Sequence, residues 1–263
     1  MSIIIENVSF SYGRGSKARE VLHNVSFAAE QGEVVALLGA NGVGKSTLIK
    51  CILGLLPGYT GSIKIDDEEA SGLPAGRLAR KIAYIPQLHY PAFNYSVLDM
   101  VLMGTGTERS VISSPGSEQQ KEAYEALERL GIRELADRDY THLSGGEQQL
   151  VLMARALVQK AGTWILDEPV ANLDFGNQIM VQEQLVRMSR DGHTILMSTH
   201  NPEQSYIYAD KIVALKAGGV LAAGSPGEVI NSEMIRQLYN IDVTVESLQG
   251  DYMRVCVPRI NNE

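Results

Sequence analysis

Five consecutive apolar residues, Val34-Val35-Ala36-Leu37-Leu38, run straight into Gly39-Ala40-Asn41-Gly42-Val43-Gly44-Lys45-Ser46-Thr47, and no other junction constrains the chain as much. An apolar run of that length reads as a strand buried on both faces. Behind the glycines, Leu48, Ile49 and Ile52 fall at helical spacing. Glycines between a strand and a helix let consecutive backbone N–H groups converge on one anion, and the helix N-terminus adds its dipole. The spacing satisfies the phosphate-loop pattern. In that pattern Lys45 reaches the β and γ phosphates and Ser46 offers its hydroxyl to Mg2+, while Gly39, Asn41, Gly42, Gly44 and Thr47 line the nucleotide.

Short apolar segments followed by helical periodicity recur at Ile82 to Ile85, Trp164 to Asp167, Ile195 to Ser198 and Ile212 to Leu215. Strands this apolar, spaced by helices, predict a mainly parallel sheet covered on both faces. Before Val34 the pattern alternates, through Ile3, Ile5, Val8, Val25 and Phe27, which predicts antiparallel strands. Between Gln87 and His142 the periodicity is helical, over Val97 to Met103 and Glu118 to Leu130, with a loop from Gly104 to Gly116. The alternating stretch Val243 to Val257, broken at Gln249-Gly250-Asp251, reads as a hairpin to which no function is assigned. The acidic run Asp66 to Glu69 reads as an exposed turn.

Two further segments carry chemistry. Trp164-Ile165-Leu166-Asp167-Glu168 is an apolar strand ending in two carboxylates, and Asp167 at that edge can hold Mg2+ through water. Leu143-Ser144-Gly145-Gly146-Glu147 precedes a helical run from Gln149 to Val158, so a second helix N-terminus is free for an anion. One chain needs a single phosphate cradle. The second one makes sense when it closes on nucleotide held by a partner.

In order and spacing, these three segments resemble an ABC-type ATPase subunit. The resemblance implies a P-loop NTPase core of class α/β with a mainly parallel sheet, an N-terminal antiparallel β subdomain and an inserted α-helical subdomain. The ATPase domain is expected over 1–240, with the helical subdomain at about 88–160, and a C-terminal β-hairpin appendage over 241–263. It further implies ATP and Mg2+ as cofactors and a head-to-tail homodimer sandwiching two ATP molecules. Ser144, Gly145 and Gly146 would then contact nucleotide across the interface, with Asp174, in Asn172-Leu173-Asp174, on the loop that crosses between subunits. Glu168 becomes the general base, His200 the switch histidine on the γ phosphate, Gln87 the Mg2+-sensing glutamine and Tyr12 the aromatic stacking on adenine. Glu147 departs from the glutamine that many members carry.

Pro86-Gln87 and the stretch Val97 to Gly104 resemble members that import iron-siderophores, haem, cobalamin or oxyanions. That implies an integral membrane permease dimer as partner, an extracytoplasmic substrate-binding protein acting indirectly, and a peripheral place on the cytoplasmic face of the cell membrane. The cargo itself is not encoded here. Other readings are a soluble ABC ATPase acting on nucleic acid or ribosomes, and a nucleotide-binding regulator without turnover. Against the first stands the formal net charge of −8 over 263 residues, which argues against nucleic acid as a partner. Glu168 and His200, both in place, oppose the second. No apolar run approaches the roughly 20 residues of a membrane span. Met1-Ser2-Ile3-Ile4-Ile5-Glu6 lacks a basic start and a cleavage site, which makes the cytoplasm the expected compartment. Cys51 and Cys256 are expected to be reduced, with Cys51 packed against the sheet. His23, His89, His142 and His193 lack metal-ligand spacing and are assigned no chemistry.

Overall fold

The computed structural model describes residues 2–13, 15–87, 91, 93–107 and 116–259. Leu88, at the expected start of the helical subdomain, His89, and most of the loop expected from Gly104 to Gly116 lie outside the described residues.

Strand β1 (Ile3–Tyr12) pairs antiparallel with β2 (Arg19–Ala29), and β3 (Val34–Leu38) feeds helix α1 (Lys45–Ile52). β4 (Thr60–Ile65) returns antiparallel to β1, and the two-residue β5 (Glu68–Glu69) completes a four-stranded sheet in the order β2-β1-β4-β5. Helix α2 (Ala75–Lys81) leads into β6 (Ile82–Ile85). Three helices follow, α3 (Val97–Leu102), α4 (Ser117–Arg129) and α5 (Gly145–Val158). Then come β7 (Thr163–Leu166), α6 (Phe175–Arg190), β8 (Thr194–Thr199), α7 (Pro202–Tyr208), β9 (Lys211–Lys216) and β10 (Gly219–Gly224). Two short helices, α8 (Pro226–Val229) and α9 (Ser232–Tyr239), precede the hairpin β11 (Val243–Leu248) and β12 (Met253–Pro258).

The central sheet runs β10-β9-β3-β8-β7-β6, parallel throughout except at the antiparallel edge strand β10. Its strands are apolar on both faces because each face has its own core. Val34, Ala36 and Leu38 of β3 join a cluster with α3, α4, α5 and α6, while Val35 and Leu37 join α1 and the antiparallel sheet. The same alternation splits Trp164 from Ile165 and Ile195 from Leu196. Each such Val, Leu or Ile side chain withdrawn from water contributes about 1.5–3 kcal/mol. Cys51 sits fully buried on the α1 side, where burial pushes its thiol up to about 11.

Parallel strands end at one edge, so the residues following β3, β6, β7 and β8 gather there. Three local expectations differ in detail, while the C-terminal hairpin forms as expected. The helix over Val97 continues as a 3-10 turn over Met103–Thr107, so the loop does not open at Gly104. Helix α5 starts at Gly145, four residues before the periodic run, because Ser144 and Glu147 form a capping box. The acidic turn is half-buried: Glu69 accepts from Ser62 Oγ and Ile63 N, and Asp66 accepts from Ser2 N and Lys81 Nζ. The hairpin is docked on α7 and α8, with Cys256 N donating to Glu203 Oε1 and Arg254 Nη1 to the Gly227 and Ile230 carbonyls.

Candidate nucleotide site

The phosphate loop is built by backbone geometry before side chains enter. Gly42 and Gly44 lie in the left-handed region, at φ +81° and +111°, where a Cβ is penalised. Gly39 needs its bare Cα for space, since a Cβ would meet the Leu215 carbonyl oxygen at 2.6 Å. Gly39 N donates to the Thr199 carbonyl, joining the loop to the end of β8.

Asn41, Gly42, Gly44, Lys45, Ser46, Thr47, Gln87 and Glu168 line a cavity of about 300 Å³ at this edge. Lys45 is only 5% exposed. Its ammonium donates to the Gly39 carbonyl at 2.7 Å and the Ala40 carbonyl at 3.2 Å, and lies 3.5 Å from Glu168 Oε1. Burial lowers the Lys45 pKa, and the neighbouring Glu168 carboxylate opposes that shift. Ser46 Oγ donates to Asp167 Oδ1 at 3.2 Å, so the two oxygens suited to a hard cation already converge. Among the described residues no group of three or more His, Cys, Asp or Glu could hold a metal by itself.

His200, just beyond β8, stands with Nδ1 3.4 Å from Glu168 Oε2. Tyr12 is 42% exposed at the end of β1, with its hydroxyl 3.4 Å from Thr47 Oγ1 and its ring edge-on to Phe10. Both flank the cavity.

Ser144, Gly145, Gly146 and Asp174 are not among the residues lining this cavity. They form a second cluster. Ser144 caps α5: its N–H and its hydroxyl donate to Glu147 Oε2 at 2.8 and 2.7 Å. Those bonds, the side-chain one first, hold the Glu147 carboxyl below its ordinary range. Asp174 caps α6, accepting from Asn177 N and Asn177 Nδ2. The two caps touch, since a Cβ on Gly145 would meet Leu173 Cδ2 at 2.9 Å and one on Gly146 would meet Asn177 Oδ1 at 2.4 Å.

Two further side chains, one of them two residues before His200, tie the site together. Ser198 Oγ donates to Asp167 Oδ1 at 2.6 Å and accepts from Glu168 N at 2.9 Å. Tyr239 Oη donates to the His200 carbonyl at 2.8 Å. Of the remaining histidines, His193 packs on the Trp164 ring and faces the Ala161 carbonyl. His23 Nδ1 lies 3.1 Å from Glu20 Oε1 and His142 Nδ1 lies 3.4 Å from Asp139 Oδ2.

Residues 22–171 match the ABC transporter family model, a stretch that spans the phosphate loop, Gln87, Ser144 to Gly146 and both strand-end carboxylates. A hemin import ATP-binding protein of Rhodopseudomonas palustris is 33% identical over 255 residues, 94% of each chain. A solved metal-chelate type ABC transporter in an inward-facing conformation superposes with a TM-score of 0.86 at 30% identity, covering 99% of this chain and 98% of that one. A dimeric ATP-binding cassette in a post-hydrolysis state, with ADP and phosphate bound, superposes with a TM-score of 0.73 at 27% identity, over 85% of this chain and 98% of that one. Matches of this breadth, laid over a phosphate cradle and a strand-end carboxylate pair, make the chain a member of the ABC transporter family, an ATP-binding subunit that hydrolyses ATP.

Proposed function

We propose that two copies of this chain pair head to tail and hydrolyse ATP to drive import of a metal-chelate type substrate through a separate membrane permease dimer. One observation carries the pairing. The cavity that gathers Lys45, Ser46, Gln87 and Glu168 is lined by none of Ser144, Gly145, Gly146 and Asp174, which stand together at the N-termini of α5 and α6. Each protomer then holds nucleotide on its phosphate loop and closes its Ser144 cap on the partner's γ phosphate, Asp174 lying on the crossing loop. Tyr12, 3.4 Å from Thr47, is near enough to take the adenine face.

Ser46, Asp167 and Gln87 offer the oxygen donors that suit Mg2+. The chemistry Mg2+ supplies when bound is neutralisation of phosphate charge. The chain's own residues do the rest. Glu168 accepts a proton from the attacking water as the new P–O bond forms and the β–γ bridge breaks, leaving ADP and phosphate. Lys45 trades its loop carbonyls for phosphate oxygens, and His200 steadies the γ group.

No helix among the described residues is long and apolar enough to cross a membrane, and in this reading a separate permease supplies the spanning part. A cavity of about 440 Å³ between α2, α5 and the Met103–Gly104 turn, with Leu55 and Met103 exposed, is the place where the permease docks in this reading. The importer class is supported by the hemin importer and the metal-chelate transporter.

Glu168→Gln tests the catalytic reading: turnover should fall by about 10²-fold or more while ATP still binds. A stable ATP-bound dimer should then appear by size-exclusion chromatography. Normal turnover in that variant would remove Glu168 from its role. Isolation of the complex from membranes tests the transport reading, and recovery of ribosomal or DNA-bound material in place of a permease would overturn it.

A further inference from the structure

Ser198 is fully buried on β8, between an apolar strand and the nucleotide edge. A serine hydroxyl has one proton and two lone pairs. Here both kinds of capacity are committed to consecutive residues of the neighbouring strand end: the proton to Asp167 Oδ1 at 2.6 Å, a lone pair to Glu168 N–H at 2.9 Å. The direction is fixed, because a backbone N–H can only donate. Asp167 N donates to the Ile85 carbonyl, the next amide belongs to Glu168, and the Ser198 hydroxyl is the acceptor it finds. Glu168 also sits at φ +47°, in the left-handed region that a residue with a Cβ seldom adopts. Its backbone is therefore held from outside.

We propose that Ser198 is a positioning residue for ATP hydrolysis, locking the Asp167 carboxylate and the Glu168 peptide into one unit so that the cation-binding oxygen and the base keep a fixed separation. This rests on the roles given above to Asp167 and Glu168. Without the hydroxyl, Asp167 Oδ1 keeps Ser46 Oγ at 3.2 Å as its partner among the described residues, and the turn carrying Glu168 loses its side-chain anchor to β8. A group that merely filled a buried strand would be replaced by alanine with no change in cation dependence.

The test compares wild type, Ser198→Ala, Ser198→Thr and Glu168→Gln. Calorimetric titration gives ATP affinity with and without Mg2+, and steady-state assays give kcat and KM. Ser198→Ala should lose kcat about tenfold or more, the scale set by misplacing a reacting group by a fraction of an ångström. The gain in ATP affinity on adding Mg2+ should shrink about threefold or more, while affinity without Mg2+ stays within twofold. Ser198→Thr, which keeps the hydroxyl, should recover most of both. If the alanine variant does not fold, Ser198→Cys takes its place, since a thiol donates and accepts weakly. An alanine or cysteine variant with wild-type kcat and Mg2+ response, beside a Glu168→Gln variant that has lost turnover, overturns the role of Ser198 and leaves the site intact. Normal turnover in Glu168→Gln overturns the site reading itself.

Discussion

Lys45→Ala probes the phosphate cradle most directly. The buried ammonium of Lys45 is held by two loop carbonyls, Gly39 at 2.7 Å and Ala40 at 3.2 Å, and faces Glu168 at 3.5 Å. A charge-assisted contact to phosphate contributes about 1.5–3 kcal/mol, which is roughly tenfold to a hundredfold in affinity. The loop carbonyls pull the expected value toward the lower end. Nucleotide must take the ammonium from partners it already has, so part of the phosphate gain is offset, and a loss of about tenfold in ATP affinity is the working figure. Titration calorimetry with MgATP measures it. Truncation also frees two carbonyls and leaves Glu168 without its cation, so a thermal melt of the variant is run alongside to show that it folds. A folded Lys45→Ala protein binding ATP within twofold of wild type refutes the assignment of the loop.

Two further outcomes are expected. Gly146→Ala would press a methyl into Asn177, whose Oδ1 would lie 2.4 Å away, and overpacking of this kind costs about 1–3 kcal/mol. At this chain length that lowers Tm by roughly 2 to 12 °C. Adding Asn177→Ala should recover much of the loss; a double variant as unstable as the single one would dismiss the clash. His193 has its pKa lowered below the ordinary 6.5, chiefly by burial. The unfolded chain therefore takes up that proton first, and stability from the neutral imidazole is complete above pH 6.5 and lost as pH falls toward the folded pKa. Tm should fall more steeply between pH 7.5 and 5 for wild type than for His193→Gln, while parallel curves would show that His193 titrates alike in both states.

What could be read from the sequence was local. The phosphate loop is written in consecutive residues because its work is done by backbone N–H groups, and Gly39, Gly42 and Gly44 sit where the structure needs space or a positive φ. The central strands were legible because both faces are covered, so each carries a short run of apolar residues such as Val34–Leu38 or Trp164–Leu166. The start of α5 was missed by four residues because paired glycines argue against a helix interior. The capping-box spacing of Ser144 and Glu147 was a signal that could have found it. The hydrogen bonds of Ser198, two residues before His200, and of Tyr239 could not have been found that way. Both residues sit in ordinary elements, and their partners stand 30 or more positions away. The hairpin was legible as a hairpin, but its docking on α7 depends on Glu203 and Arg254 meeting atoms far along the chain.

The sheet order accounts for the two half-sites that the proposed dimer needs from one chain. β3, β8, β7 and β6 are adjacent and parallel, so Lys45, His200, Glu168 and Gln87 reach one edge although sequence scatters them. Helix α5 runs into β7, and a helix feeding a parallel strand starts at the edge where the strands end. The Gly145 and Gly146 contacts with Leu173 and Asn177 hold that start beside the segment that leaves β7. Cradle and capped helix therefore open at the same edge of one sheet without lining a common cavity. A two-fold axis is the operation that turns such a pair face to face, and it does so twice, generating two equal sites in an isologous pair. In the proposed dimer any change at Ser144 or Lys45 therefore acts at both sites at once, and closure should respond to it more steeply than nucleotide binding to a single chain.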